Sequence, residues 1–345
     1  MKQIFVTLFA VAVSVLLLLG LLLSHVYYAA PRTNPATVEV RVEQGDSLAT
    51  VVGKLREQQV IMNERLFLLW ARLRGVEKKI HRGLYRFEAQ LAPHEILERL
   101  VMGKGVFHIA TVPEGLTVKE IADLLDKLQI VERDKFLAEA SDPEFLKLFG
   151  LEDKGIEGYL FPSTYHFTPA TSEKDILIAM VSQFRKLFEP LLERGGERGR
   201  LTPHQIVTLA SIIEKETGVE AERPLVSAVF HNRLKLNMPL QSDPTVIYGL
   251  KDFNGNLTRK DLNTPSPYNT YRIAALPPGP ISNPGLSSIK AALHPADVPF
   301  LYFVSKNDGT HLFSESFAAH NRAVKTYQQS GERNPARRKA VALRE

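Results

Sequence analysis

The chain has 345 residues, of which 44% are hydrophobic and 23% charged, which is enough apolar material for a sizeable core and favours two domains over a disordered chain. The formal charge of +5 comes from 43 basic and 38 acidic residues, too small an excess to indicate a nucleic-acid partner. No cysteine occurs, which excludes disulfide frameworks and thiolate metal sites.

The N-terminal residues predict a membrane anchor. Residues 4–28 contain no Asp, Glu, Lys or Arg, and a helix of this length can cross ~30 Å of hydrocarbon at ~1.5 Å per residue. The alternative is a cleavable signal peptide, although such signals usually have only ~7–15 apolar residues. Lys2 and the terminal amine favour a cytoplasmic N-terminus at residues 1–3. The remainder of the chain is then expected to lie outside the cytoplasm, attached to the inner (plasma) membrane by a single pass.

Beyond a polar linker at residues 29–37, the sequence contains an internal repeat. Two stretches align at a constant offset of 70 residues, so that Gly45 matches Gly115 and Ser47 matches Thr117. Each copy predicts a short strand, a Gly turn, a Ser or Thr helix cap and an amphipathic helix. Two βα units this similar indicate duplicated modules.

The first copy, in residues 38–105, resembles the LysM-like module of cell-wall proteins, which implies glycan binding. The alternative is a structural repeat that only spaces a domain from the membrane. The second copy, in residues 106–155, is interpreted as a related βα unit that joins a catalytic domain at residues 156–330. Within that domain the aromatic block Glu157–Phe167 predicts a strand and turn rather than a helix. A helix is expected from about residue 174 to residue 192, followed by a charged, solvated loop.

The helix predicted at residues 203–217 carries two acids near its end. Apolar residues form one stripe along this helix, and ~100° per residue places Glu214 and Glu216 ~200° apart, so they cannot serve one site side by side. Glu214 is interpreted as a salt-bridge or cap residue. Gly218 is expected to end the helix and leave Glu216 in the last turn, where the helix dipole disfavours its anion and raises its pKa. A carboxyl group in this position suits an acid catalyst.

Five sequence blocks in the order found here are together similar to the endolytic murein transglycosylases, the MltG or YceG-like family. The similarity runs from about residue 40 to residue 327, and the blocks are ASIIEKETG, ERPLVSAVFHNRL, LQSDPTVIYG, SPYNTYRIAALPPGPISNPG and LYFVSKNDGTHLFSESFAAHN. The resemblance implies an α+β protein with an N-terminal transmembrane helix, a LysM-like module and a mixed α+β lytic-transglycosylase-like catalytic domain.

The resemblance also implies a reaction. Such enzymes cleave the β-1,4 bond between N-acetylmuramic acid (MurNAc) and N-acetylglucosamine (GlcNAc) within peptidoglycan strands and leave 1,6-anhydroMurNAc ends. In lytic transglycosylase relatives the catalytic acid is followed by Ser, and Glu216-Thr217 matches that pair better than Glu214-Lys215. The catalytic role therefore goes to Glu216. One departure is Ser163, which stands where the family commonly has Asp; this puts any role for that Asp in doubt, but not the chemistry.

Two flanking segments are predicted to build the cleft. In the block Gln241–Thr245, Asp243 is interpreted as a helix cap; a substrate-facing role for Gln241 or Asp243 is the alternative, and both can hold. Tyr268, Asn269 and Tyr271 lie in a proline-broken loop and are predicted to bind sugar through ring stacking and acetamido hydrogen bonds. Tyr268 is the best match for the active-site Tyr of the relatives. The alternative is a buried Tyr that stabilises a turn.

No metal or other cofactor is predicted. The histidines at positions 231, 294, 311 and 320 form no tight ligand spacing. The basic tail at residues 331–345 is interpreted as a solvated end. Two function classes remain: a membrane-anchored glycan-cleaving enzyme, and a non-catalytic scaffold that presents its repeats to peptidoglycan or to synthases. The resemblance implies peptidoglycan glycan strands as substrate, glycan synthases such as penicillin-binding proteins as partners, and a role in ending strand growth.

Overall fold

A computed structural model describes most of the chain. The described residues are 2–28, 37–43, 45–88, 91–103, 105, 108–169, 171–193 and 201–329. Nearly all of the predicted linker, the charged loop after residue 193 and the basic tail lie outside them. The chain divides into two compact units, the first formed by Met1–Ile109 and His166–Thr171 and the second by Ala110–Tyr165 and Ser172–Glu345. The architecture is mixed α+β, as predicted.

Unit 1 contains the N-terminal helix and a small α/β module. Its elements are α1 (Lys2–Tyr28), β1 (Val38–Val42), α2 (Leu48–Glu57), α3 (Glu64–Leu73), β2 (Gly83–Phe87) and α4 (Pro93–Val101). Strands β1 and β2 pair antiparallel with Val40 opposite Tyr85. Alternate side chains of these strands are buried with the apolar faces of α2, α3 and α4, which gives the module its own core.

Helix α1 coincides with the run predicted to anchor the chain. Judged on the residues that the structure describes, no helix is long and apolar enough to cross a bilayer. The transmembrane anchor stays a prediction.

The internal repeat is confirmed at the level of local structure. Strand β3 (His108–Thr111) and helix α5 (Val118–Lys127) follow β1 and α2 at the same offset seen in the sequence. Ser47 and Thr117 are the N-caps, and each side-chain oxygen accepts a hydrogen bond from the backbone N–H three residues on. Gly45 and Gly115 both have positive φ, 91° and 79°, which explains the glycine in each turn. Residues 106–155 are predicted to form a second βα unit that joins the catalytic domain, and from Ala110 onward this stretch groups with unit 2.

Unit 2 is mainly helical. After α5 its elements are α6 (Arg133–Ala140), α7 (Pro143–Leu148), the first two residues of β4 (Thr164–Phe167), α8 (Glu173–Glu193), α9 (Pro203–Glu216), α10 (Arg223–Lys235), α11 (Asp243–Gly249), α12 (Arg259–Asn263), α13 (Leu286–Leu293), β5 (Tyr302–Ser305), β6 (His311–Ser314) and α14 (Phe317–Val324). Strand β4 pairs with β3, and β5 forms an antiparallel hairpin with β6. The predicted helix near residues 174–192 and the non-helical aromatic block are both confirmed.

Helix α9 is the central helix of unit 2. All eight residues from Ile206 to Ile213 are buried, and α9 packs against α10, α11 and α13. Its N-terminus has a capping box between Thr202 and Gln205 with Pro203 at the start, so its first N–H groups are satisfied and its register is set. The C-terminal end of a helix held on several sides is a rigid support for a functional side chain.

Candidate active site

The end of α9 separates the two acids as the helical geometry predicts. Helix α9 ends at Glu216, and Thr217 is its C-cap in extended conformation, one residue before the predicted stop. Glu214 Oε1 accepts from Arg223 Nη2 at 3.0 Å, and Glu214 Oε2 accepts from the backbone N–H of Gly285 at 2.9 Å. The prediction that Glu214 is a salt-bridge residue is therefore confirmed.

Glu216 points to a different set of neighbours. Its Oε1 accepts a short hydrogen bond from the hydroxyl of Ser242. Ser242 is the N-cap position of α11, but its side chain makes no cap hydrogen bond. The prediction that Asp243 caps this helix is wrong by one residue, because Asp243 is the first helical residue. The hydroxyl that would ordinarily satisfy the helix N-terminus is committed to the carboxyl group of Glu216.

A buried hydroxyl network fixes Ser242. The Ser242 N–H donates to Thr270 Oγ1 at 3.0 Å, and Thr245 Oγ1 donates to the Ser242 carbonyl at 2.7 Å. The two threonine hydroxyls lie 2.8 Å apart. All three residues are almost fully buried. A buried network with its groups paired is rigid, so the Ser242 hydroxyl is held in place for Glu216.

The surroundings of Glu216 disfavour its ionised form. Burial is the main cause that raises the pKa of Glu216 to about 7, and the negative charge of Asp243 contributes in the same direction. The hydrogen bond from Ser242 and the electrostatic influence of His311 and Arg233 act in the opposite direction. The net result is a carboxyl group that is substantially protonated near neutral pH. Such a group can donate a proton and, once ionised, accept one.

Glu216 lies in a cleft of about 400 Å³ in unit 2. Its polar lining comes from the end of α9, from α10, from α11 and the loop before it, from the loop after α12, from the β5–β6 hairpin, and from α14 and the residues after it. The lining residues are Glu216, Arg233, Leu240, Gln241, Asp243, Tyr271, Phe303, Val304, Ser305, His311, His320, Val324 and Gln328. A second hollow of about 500 Å³ also has Tyr271 in its wall, together with Arg259, Leu262, Asn263 and Arg272. Among the described residues, no group of three or more His, Cys, Asp or Glu side chains is arranged to hold a metal ion.

Three of the predicted substrate-binding residues line this cleft. Gln241, Asp243 and Tyr271 are all in its wall. Tyr271 donates its hydroxyl to Asp243 Oδ1 at 2.6 Å, and Gln241 adopts a positive φ of 53°. A left-handed non-glycine residue in the wall of a cleft marks local backbone strain of the kind that clusters at functional sites.

The other two predicted residues lie elsewhere in the same loop. Asn269 is fully buried, and its side-chain amide donates to the carbonyls of Leu262 and Thr264. Its Oδ1 accepts from the Tyr271 N–H at 3.0 Å, so Asn269 shapes the loop that presents Tyr271. Tyr268 packs on Tyr248 with ring centroids 4.9 Å apart. The structure thus brings Tyr271, rather than Tyr268, to the cleft that holds Glu216.

A second carboxyl group with a raised pKa was not identified from the sequence. Burial raises the pKa of Glu157 to about 7. Its oxygens accept from the Val118 N–H at 3.1 Å, the Asn283 amide at 3.0 Å and the Tyr248 hydroxyl at 3.3 Å. Glu157 is not among the residues that line the cleft. Its three partners come from separate parts of the chain, which indicates a structural tie between α5, α11 and the loop before α13.

Arg233, Glu222 and His311 are the other functional candidates that sequence reasoning missed. Arg233 Nε donates to the Leu301 carbonyl and its Nη1 to the Leu240 carbonyl, so its guanidinium is fixed in the cleft wall. Burial lowers the pKa of Arg233. The blocks ERPLVSAVFHNRL and LYFVSKNDGTHLFSESFAAHN contain these residues. Glu222 and His311 are 89 residues apart, however, and no local sequence spacing predicts a contact at that separation.

The fold and the site define a mixed α+β protein whose cleft holds a partly buried carboxyl group with a pKa near neutrality. The sequence profile of the YceG-like family matches residues 40–326. An endolytic murein transglycosylase of Bacillus subtilis is 33% identical over 315 residues, covering 87% of each chain. One from Streptococcus pneumoniae is 26% identical over 325 residues, which cover 85% of this chain and 59% of that protein.

A solved structure gives the same relationship. The crystal structure of a protein described as YceG-like from Listeria monocytogenes superposes with a TM-score of 0.56 at 31% identity, covering 84% of this chain and all of that one. The chain belongs to the YceG-like family.

Proposed function

We propose that this protein is an endolytic peptidoglycan lytic transglycosylase in which Glu216 is the catalytic residue. The observation that carries the proposal is a partly buried Glu216, its pKa raised to about 7, hydrogen-bonded by Ser242 in a cleft. Relatives named endolytic murein transglycosylases share most of the chain's length, which supports peptidoglycan strands as the substrate.

In this proposal one carboxyl group performs both proton transfers. Protonated Glu216 donates to the glycosidic oxygen between MurNAc and GlcNAc as the bond from that oxygen to the MurNAc C1 breaks. The resulting carboxylate then takes the proton of the MurNAc C6 hydroxyl, whose oxygen attacks C1 and closes the 1,6-anhydro ring. The proton returns to Glu216, so no water is consumed. Proton transfer by a positioned group contributes ~10²–10⁴-fold to the rate, and binding in the cleft supplies the rest.

Two neighbouring hollows support the binding of a strand. The wall of the cleft and the second hollow share Tyr271, so sugar contacts can extend beyond the Glu216 cleft. Gln241, Asp243 and Tyr271 supply the hydrogen-bonding groups, and Phe303 supplies an apolar face. Cleavage within strands needs sugar binding on both sides of the scissile bond.

The deciding experiment is digestion of purified glycan strands, with the ends of the products identified by mass spectrometry. The expected products carry 1,6-anhydroMurNAc ends. Reducing MurNAc ends would contradict the proposal and favour a two-carboxylate hydrolase, since Asp243 lies in the same cleft as Glu216. No cleavage by a folded protein would favour the non-catalytic scaffold.

The rate is expected to depend on pH through Glu216. The free enzyme needs the protonated carboxyl group, so kcat/KM should be maximal below the Glu216 pKa and fall as the pH rises through about 7. The Ser242 hydroxyl stabilises the carboxylate, because it donates to the ionised oxygen. Ser242→Ala should therefore move this decline to higher pH by about one to two units, given ~1.5–3 kcal/mol for a hydrogen bond to a charged group.

A matched control for Ser242 is Ser305, which also lines the cleft. Ser305 Oγ accepts from the Asn307 N–H, and among the described residues it makes no hydrogen bond to Glu216. Ser305→Ala is expected to leave the pH of the decline in place, whatever it does to KM. Equal pH profiles of kcat/KM for wild type and Ser242→Ala would refute the proposal that Ser242 stabilises the Glu216 carboxylate.

The proposal includes a location at the membrane, where the enzyme would end the growth of nascent strands made by glycan synthases. The apolar sequence of residues 4–28 and the exposed leucines of α1, among them Leu16 and Leu17, support an anchor. The capped βα module of unit 1 supports a LysM-like role in holding the strand. Recovery of the full-length chain in the soluble fraction after lysis would contradict the anchor.

A further inference from the structure

The imidazole of His311 is fixed by a carboxylate at the rim of the Glu216 cleft. His311 begins β6, and its backbone N–H donates to Glu222 Oε1 at 2.8 Å. Its ring atom Nδ1 lies 2.7 Å from Glu222 Oε2. The ring also makes an edge contact with Phe303, with centroids 5.5 Å apart. Two hydrogen bonds to one carboxyl group and a ring contact leave the imidazole a single orientation.

Glu222 remains ionised while it holds His311. Burial alone would raise the pKa of Glu222, but the hydrogen bonds from His311 and from the Thr217 hydroxyl lower it below its ordinary value. A carboxylate can only accept hydrogen bonds, so Nδ1 of His311 carries the proton. In the neutral ring Nε2 is then the acceptor nitrogen. Glu222 Oε2 also accepts a hydrogen bond from the hydroxyl of Thr217, the residue directly after Glu216.

Nε2 has no partner within the described residues. Among the described residues, the hydrogen bond of the His311 side chain runs from Nδ1 to Glu222. His311 lines the same cleft as Glu216. A polar ring atom that is oriented by its neighbours and left unpaired at a binding cleft is positioned for a ligand.

We propose that His311 binds the glycan directly, with Nε2 accepting a hydrogen bond from a sugar hydroxyl, and that Glu222 is the positioning residue that orients it. The inference rests on the proposed function for its substrate class. Glycan strands present neutral hydroxyl donors, which match an acceptor nitrogen. Phe303, beside the imidazole and also in the cleft wall, offers an apolar face for the ring that carries the hydroxyl.

Two substitutions separate a substrate contact from a purely structural role. In His311→Asn the side-chain amide lies where Nδ1 was and can still donate to Glu222, but nothing replaces Nε2. In His311→Gln the amide reaches the Nε2 position but cannot keep the Nδ1 geometry. If His311 contacts the substrate, His311→Asn should weaken glycan binding more than His311→Gln. If His311 only holds Glu222, His311→Gln should weaken it more.

The first readout is binding of peptide-free glycan strands, measured with Glu216→Gln in each protein so that no cleavage occurs. We expect His311→Asn to weaken binding about five- to tenfold, the value of one hydrogen bond, and His311→Gln to stay within about threefold. The second readout is kcat/KM on the Glu216 background, in which the same order is expected. Thermal unfolding of each variant verifies that the fold is kept.

These measurements distinguish failure of the His311 contact from failure of the proposed function. Wild-type binding by His311→Asn, or weaker binding by His311→Gln than by His311→Asn, overturns the substrate contact. Glycan binding that depends on His311 in a protein that makes no anhydro ends would overturn the proposed reaction and leave the contact in place. No glycan binding by the Glu216→Gln protein itself overturns both.

Discussion

Replacing Glu216 with Gln is expected to lower turnover on glycan strands by about 10²–10⁴-fold, the range attributed to proton transfer by a positioned group. Gln has the size of Glu and can still accept from the Ser242 hydroxyl, but it neither donates a proton to a leaving oxygen nor takes one back. The loss should fall on kcat, with KM changed little. The measurement is the initial rate of formation of 1,6-anhydroMurNAc ends by mass spectrometry.

The same substitution should not destabilise the protein at alkaline pH. The pKa of Glu216 in the folded protein, about 7, lies above that of an unfolded Glu, ~4.3, so the folded state binds more protons between these values. Stability therefore falls as the pH rises from about 4.3 to about 7, and stays reduced above it. Glu216→Gln removes this penalty. At pH 8 the free energy of unfolding is expected to rise by about 1–2 kcal/mol, as measured by urea denaturation.

Glu157→Gln is the matched control, because Glu157 also has a pKa of about 7. The pKa alone does not distinguish these two acids, but their positions do. Glu157 is bonded to Val118, Asn283 and Tyr248 and does not line the cleft. Its amide variant should keep activity within a few-fold of wild type. If Glu157→Gln loses as much activity as Glu216→Gln and both proteins are folded, the assignment of Glu216 as the catalytic acid is refuted.

The local structural features that depend on residues close together in the chain were predictable from the sequence. The strand, Gly turn, cap and helix of each repeat copy depend on residues fewer than twenty positions apart, and the structure reproduces them down to the capping hydroxyls of Ser47 and Thr117. The divergence of Glu214 and Glu216 followed from helical geometry. Each of these rests on backbone periodicity or on a local hydrogen bond, which sequence determines directly.

Features that depend on distant contacts were not predictable. Ser242 and Asp243 are both good helix caps, and only the approach of α9 shows that the Ser242 hydroxyl serves Glu216 instead. In the proline-broken loop, burial of Asn269 decides that Tyr271 reaches the cleft. The pairing of Glu222 with His311 joins a turn after α9 to the β5–β6 hairpin. No spacing rule encodes such a contact.

Arg223→Met is expected to be the most destabilising single substitution among the residues considered, by about 3–5 kcal/mol. Arg223 is the buried cation of a cluster: its Nη2 lies 3.0 Å from Glu214 Oε1 and 3.4 Å from Glu114 Oε2. The side chain of Glu214 is only 6% exposed. Without Arg223 the Glu214 carboxylate would remain buried with only the Gly285 N–H to stabilise it. For a unit of this size the expected fall in Tm is roughly 6–20 °C.

Two further variants test this explanation. Glu114→Gln removes the other carboxylate, whose side chain is 46% exposed, and should change the free energy of unfolding by about 1 kcal/mol or less. The double variant Arg223→Met with Glu214→Leu should recover most of the loss, because it leaves no unpaired buried charge. No recovery would mean that the packing of the arginine stem, rather than its charge, maintains the helix end.

Glu214 stands two residues before Glu216 on α9, so this cluster also bears on catalysis. The Arg223–Glu214 pair and the Gly285 N–H hold the last turn of α9 to α10 and α13. If that turn loosens, the carboxyl group of Glu216 moves relative to the Ser242 hydroxyl, and a displacement of ~1 Å can cost ~10²-fold in rate. Arg223→Met should therefore lower kcat even at temperatures below the Tm of the variant, where the protein is folded. Glu114→Gln should leave kcat unchanged. Under the proposed mechanism the two acids at the end of this helix therefore have complementary tasks: Glu214 fixes the turn, and Glu216 transfers the protons.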